Sequence, residues 1–183
     1  MNQSTNIVLI RHGESESNIA QRINDDPGRV VNLTAHGRRQ AQAAAERLQN
    51  RAFWHAYASE FARAQQTAEI LLHQHNCELT IDARLNERRS GMDGLPVNVF
   101  NNLVSPDPVR IKPPNGESFL EQMGRLRSFL DEISRLHPGK SILAVSHENP
   151  ILAALALAGM DADQAVHGSI ANCVWIDLEW AVD

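Results

Sequence analysis

Short apolar runs alternate with helical patterns along this chain of 183 residues, and that alternation restricts the fold more than any other feature. Ile7-Val8-Leu9-Ile10, Phe53 to Ala58, Leu79-Thr80-Ile81, Ser141 to Val145 and Asn172 to Leu178 read as strands. Between them, Ala41, Ala44, Ala45 and Leu48 recur at helical spacing, as do Ala64, Ala68, Leu71 and Leu72. Phe119, Met123, Leu126, Leu130 and Ile133 mark the longest helix, opened by Asn115-Gly116-Glu117-Ser118 and ended by Pro138-Gly139. Thr34 is the expected cap of the helix that follows it. Ile151 to Ala158 is apolar all round and hence a buried helix, with Asn149 as its expected cap, Pro150 at its first position and Gly159 closing it. The expectation is an α/β fold, a three-layer sandwich with a mostly parallel central sheet and helices on both faces. The chain shows no internal repeat, and one domain over residues 1–183 is expected.

A parallel sheet gives the strands' carboxyl ends a common rim, where ligands bind. Arg11-His12 follows the first strand and His147 the fourth, while Arg63 lies in the helix that begins near Glu60, after the second. These residues, distant in sequence, are expected to meet. Gly13 lets the backbone turn sharply beside a ligand. Two arginine forks match the oxygens of a phosphoryl group. A neutral histidine can attack phosphorus, and a protonated one adds a donor.

The other chemistries lack their parts. His73 and His75 are two apart, and no metal cluster or cofactor is expected. Gly139-Lys140-Ser141 resembles the end of a P-loop, yet Ser134 stands where the first glycine is needed. Arg84 lies one position too far from Cys77 for a thiolate phosphatase loop. Asp161-Ala162-Asp163 has no strand before it, and GxSxG is absent. A net charge of −5 opposes bulk nucleic-acid binding. No run approaches the roughly 18 apolar residues of a membrane span, and the first residues do not read as a signal peptide. Cys77 and Cys173 lie far apart, as expected of free thiols in a reducing cytoplasm. The expected partner is a small phosphorylated metabolite, without nucleic acid or membrane, and nothing opposes a homodimer.

Arg11-His12-Gly13-Glu14 after an apolar strand resembles the signature of the histidine phosphatase superfamily, the phosphoglycerate mutase-like enzymes. Leu33-Thr34 with Gly37 and Gln40-Ala41, Ser59 with Arg63-Ala64 and Gln66-Thr67, and Gly116-Glu117-Ser118 extend the likeness, which runs from Ile7 to Leu178. The resemblance implies that His12 is a nucleophile forming a phosphohistidine and that His147 stabilises the transferring group. It implies that Arg11, Arg63 and Asn18 bind the phosphoryl group, and that Glu87 is the proton donor. Read without the family, Asn18 is a helix cap or loop hydrogen bond, Glu87 an ion pair with Arg88 or Arg89, and His36 a solvated structural residue. Residues 95–114, rich in proline, form a candidate lid or specificity loop with at most one short helix.

Two departures from the family's pattern stand out. Glu148 occupies a place where many members have a small residue. There it would raise the pKa of His147, repel an acidic substrate, or only favour the positive end of the following helix. Arg29-Val30-Val31-Asn32 replaces the usual acidic-small-proline turn. Mutases of the superfamily are generally longer, so this chain is expected to be a phosphatase of small phosphate monoesters. A phosphoglycerate mutase and a non-catalytic phospho-ligand binding module are the alternatives.

Overall fold

The computed structural model describes residues 3–182. Five strands form one sheet: β1 (Thr5–Arg11), β2 (His55–Ala58), β3 (Leu79–Ile81), β4 (Ser141–Ser146) and β5 (Trp175–Trp180). Their order is β3-β2-β4-β1-β5. Every neighbouring pair is parallel except β1 and β5, which run antiparallel at the edge. Seven α-helices accompany them: α1 (Glu16–Ala20), α2 (Ala35–Leu48), α3 (Ala62–Leu72), α4 (Val97–Val104), α5 (Phe119–Leu136), α6 (Glu148–Leu157) and α7 (Ala162–Val166).

Alternate residues of the central strands feed two cores, because successive side chains point to opposite faces of a sheet. Ile7 and Leu9 of β1 join Ile142 and Ala144 of β4 in a core with Leu126, Phe129, Leu130 and Ile133 of α5 and Ile151 of α6. Val8, Ile10, Leu143 and Val145 face the other way, onto Ala41 and Leu48 of α2 and Ala64, Ala68 and Leu71 of α3. The three layers expected from the sequence are therefore present. Among the described residues no helix is long and apolar enough to cross a membrane.

Several boundaries shift, for local reasons. β2 begins at His55, after Phe53 has already turned into the second core. β5 begins at Trp175, because Cys173 takes a left-handed backbone (φ 57°) in a turn closed by Val174 N–H on the Ala171 carbonyl. α6 begins at Glu148 with extended His147 as its cap residue, not at Ile151 with Asn149 as cap. Pro150 is tolerated there, since the first-turn amides of a helix have no acceptor within it. Thr34 caps α2 as expected, accepting from Gly37 N–H at 2.9 Å.

The loop after β1 packs onto the first turn of α2 with no room to spare. A Cβ on Gly37 would lie 2.0 Å from the Glu14 carbonyl oxygen, and one on Gly13 would lie 2.5 Å from that of Gly37. Both obstacles are backbone, so neither can swing aside. Gly37→Ala is expected to lower stability by about 1–3 kcal/mol, although alanine is the better helix former. Denaturant titration checks this, and an unchanged or raised midpoint would refute the close packing.

Candidate active site

Strand register brings the rim residues together. Arg11 pairs with Ser146 across β1 and β4, and Ala58 pairs with Val145 across β2 and β4. The residues one step further on, His12, Ser59 and His147, therefore emerge side by side. The two histidine rings lie 4.9 Å apart, nearly edge to face. Arg63, in the first turn of α3, reaches between them. The four residues expected to converge do so.

His12 is held in one tautomer. Its Nδ1 lies 2.6 Å from the Gly13 carbonyl oxygen, which can only accept, so Nδ1 carries the proton. Nε2 is left with its lone pair, and it accepts from Arg63 Nε at 3.2 Å. Burial foremost, then the positive charge of Arg63, hold His12 well below its ordinary value of 6.5. His147 is bound from the other side. Arg63 Nη2 donates to its Nδ1 at 3.3 Å, so its Nε2–H donates to Ser59 Oγ at 2.7 Å. Burial, then Arg63, His12 and Arg11, also hold His147 well below 6.5. His147 is thus neutral and enclosed, and it does not line the neighbouring cavity. The protonated donor expected there is not the resting state.

The two arginines differ in their partners. Arg63 is 4% exposed, and its hydrogen-bond acceptors are uncharged: the two histidines and Asn24 Oδ1. Burial foremost lowers it to about 10. Arg11 Nη1 donates to the Ile170 carbonyl and lies 3.0 Å from Glu148 Oε1. Its Nε is buried and donates to nothing among the described residues.

Glu87 faces the same cavity. Its Oε1 accepts from Arg88 N–H at 2.8 Å, so its contact with Arg88 is a backbone one, and Arg89 pairs instead with Glu117. Burial foremost raises its pKa above the ordinary 4.5, against the Arg88 N–H, Arg11 and Arg63. The loop that carries it is clamped from α5. Arg125 donates to the carbonyls of Arg84, Asn86 and Glu87 and pairs with Glu117. Asp25 accepts from Ser90 N–H, Ser90 Oγ and Gly91 N–H on the far side of that loop.

Asn18 is part of a helix cap, as the reading of its sequence without the family expects. Its Oδ1 accepts from Ser15 N–H at 3.0 Å and completes the capping box of α1. Asn18 also lines the cavity, and its Nδ2 donates to no described residue. His36 is exposed and bonds only to Gln40, as expected. Sequence reasoning missed Asn24 and the part of Ser59. Asn24 sits in a polar loop with no periodicity to single it out. Ser59 could have been found as the polar residue ending the strand beside β4.

The cavity measures about 630 Å³ and is walled on one side by the 95–114 segment. Val97, Phe100, Asn101 and Val104 of α4 contribute to that wall. The segment is tied down by pairing of residues 21–23 with 94–97, including Ile23 N–H on the Leu95 carbonyl. No group of three or more His, Cys, Asp or Glu among the described residues is placed to hold a metal ion.

Residues 7–183 match the model of the histidine phosphatase superfamily (branch 1). "Probable phosphoglycerate mutase GpmB" of Proteus mirabilis is 34% identical over 153 residues, covering 77% of this chain and 68% of that one. Its counterpart in Yersinia pestis is 32% identical over 201 residues, covering 97% and 90%. Among solved structures, a mycobacterial glucosyl-3-phosphoglycerate phosphatase superposes with a TM-score of 0.82 at 26% identity, covering 94% of this chain and 90% of that one. A phosphoglycerate mutase from Bacillus anthracis shares the fold, with a TM-score of 0.82 at 18% identity and coverage of 98% and 89%. By the match of its sequence from the first strand onward, the chain belongs to the histidine phosphatase superfamily.

Proposed function

We propose that this protein is a metal-independent phosphatase that hydrolyses small-molecule phosphate monoesters through a phosphohistidine on His12. One observation carries the reading: the Gly13 carbonyl fixes the proton on Nδ1, leaving the Nε2 lone pair beside two guanidinium groups. Arg11, Arg63 and the free Nδ2 of Asn18 grip the phosphoryl oxygens. Nε2 attacks phosphorus, the ester P–O bond breaks, and Glu87 gives its proton to the leaving oxygen. The Glu87 carboxylate then takes a proton from water as that water attacks phosphorus. The P–N bond breaks, its electron pair returns to Nε2, and phosphate leaves. His147 supports the transferring group through Arg63, whose Nη2 donates to its Nδ1. Both cysteines are free, which supports a reducing, cytoplasmic setting.

The names of the curated relatives favour a second reading, phosphoglycerate mutase. A mutase would isomerise 3-phosphoglycerate and release little phosphate from it. We prefer hydrolysis because a solved relative at 26% identity and a TM-score of 0.82 is a glucosyl-3-phosphoglycerate phosphatase, whereas the solved mutase shares only 18% identity.

Rapid acid-free quenching with a ³²P-labelled ester is expected to leave acid-labile label on the wild-type protein and none on His12→Ala. Label on the variant, or none on the wild type with any hydrolysed ester, would overturn the mechanism.

Glu87→Gln is expected to cost about 10²–10⁴ in kcat for an alkyl phosphate. The loss should be much smaller in the first step with p-nitrophenyl phosphate, whose leaving group needs no proton. The sign of the pH effect follows from the shifts. Glu87 is raised above 4.5 and donates as an acid, so activity falls as pH rises through its pKa. His12 is depressed below 6.5 and attacks as a base, so activity falls only well below pH 6.5. In Glu87→Gln the basic limb is expected to vanish and the acidic limb to remain. A pH profile identical to that of the wild type would count against Glu87 as the donor.

A further inference from the structure

Beyond the phosphate grip, Phe100 and Val104 of α4 and Leu152 of α6 give the cavity wall apolar patches beside Asn101 and Ser105. Its charged side chains are mostly engaged. Arg88 donates to the carbonyls of Glu117, Pro108 and Ile111. Asp25 is held by Ser90 and Gly91, and exposed Arg22 donates through Nη1 to the Gly94 carbonyl at 2.7 Å. Glu148 is different. Its Oε1 accepts from Ser169 Oγ at 3.0 Å and Ile170 N–H at 2.9 Å, and lies 3.0 Å from Arg11 Nη1. Its Oε2 accepts from no described residue, and the side chain lines the cavity. A carboxylate oxygen without a described donor thus stands on the cavity wall next to the arginine that grips phosphate.

Building on the phosphatase reading, we infer that Glu148 sets the substrate class: it rejects esters whose alcohol carries a carboxylate near the ester oxygen and admits those of uncharged, partly apolar alcohols. Two like charges held a few ångströms apart at a partly buried site repel strongly. A hydroxyl in the same place donates to Oε2. The backbone and hydroxyl donors on Oε1 fix the carboxylate, so it cannot retreat without leaving Ile170 N–H unpaired. Glu148 does not bond to His147; its ion pair is with Arg11. Of the three roles that the sequence left open, repulsion of an acidic substrate is the one this placement favours.

The test compares sn-glycerol 3-phosphate with 3-phosphoglycerate, which differ by a CH₂OH against a carboxylate, and uses p-nitrophenyl phosphate as reference. Wild-type protein is expected to favour glycerol 3-phosphate in kcat/KM by at least about tenfold. Glu148→Gln, which keeps an oxygen for Ser169 and Ile170, is expected to narrow that preference to under about threefold. Glu148→Asp, which keeps the charge, is expected to retain it. A wild-type ratio near one overturns the inference, and so does a preference that Glu148→Gln leaves unmoved. A role only in orienting Arg11 would lower both esters equally and leave the ratio in place. If Glu148→Gln is inactive on all three esters, the wild-type and Glu148→Asp ratios still decide. Hydrolysis of p-nitrophenyl phosphate with a ratio near one removes this inference alone, whereas failure to release phosphate from any ester removes the phosphatase reading as well.

Discussion

A guanidinium buried among neutral partners is the constraint on which the site depends. Arg63 is almost wholly shielded from water, yet among the described residues no carboxylate is hydrogen-bonded to it. Burying an ion in this way costs several kcal/mol after relaxation. Hydrogen bonds to Asn24 and two imidazoles recover part of that cost, and Glu87 offsets part of the charge from a distance. The result is a pocket that gains by taking in an anion. Arg11 adds to this with a buried Nε that lacks an acceptor. An isolated pair of surface arginines would have no such preference, because water and salt would screen them.

The surrounding scaffold keeps Arg63 from relaxing. α3 starts immediately past the rim of β2, so the backbone of Arg63 is fixed by a helix. Thr67 Oγ1 donates back to the Arg63 carbonyl and accepts from Gly13 N–H at 3.1 Å. One hydroxyl therefore couples the helix bearing the arginine to the loop bearing the histidine. On the opposite wall, Arg125 holds the Glu87 loop through three backbone carbonyls. Glu117, itself buried, pairs with Arg125 and accepts from Arg89 N–H at 3.0 Å. The groups nearest the cavity are set by partners on other elements, so a small displacement of α2 or α5 reaches them directly.

This explains which parts of the molecule were legible in the sequence. The rim cluster needed only two facts: apolar runs that end in polar residues, and parallel strands whose ends coincide. Arg11, His12, Arg63 and His147 follow from those. Glu87 sits in a loop and Asn18 in the five-residue α1, neither with a periodic signal, and only their likeness to a known family singled them out. Asn24 escaped both routes, since its role depends on where a loop folds back onto Arg63. The start of α6 was misplaced because Asn149-Pro150 carries a strong capping signal. The strand–helix junction overrode it, with extended His147 passing directly into helix. Glu148 was visible as a departure, but its ion pair runs to a residue 137 positions away and could not be read locally.

The same electrostatics govern both the binding of phosphate and the reactivity of the histidine. A nucleophilic imidazole must be neutral, and a phosphate dianion beside it would raise its pKa and favour the unreactive imidazolium. Arg11 and Arg63 oppose that rise, and both lower His12 in the unliganded site. Fixing the only proton on Nδ1 against the Gly13 carbonyl adds a geometric barrier to the wrong tautomer. Glu87 experiences the opposite balance. Burial drives it toward the neutral acid, and the Glu148 carboxylate reinforces that, while the arginines and the Arg88 N–H resist. When a dianion takes up the field of the two arginines, that resistance weakens and the proton on Glu87 is held more firmly. Substrate binding thus strengthens the acid opposite His12, while the two guanidinium groups limit the rise in the imidazole's own pKa.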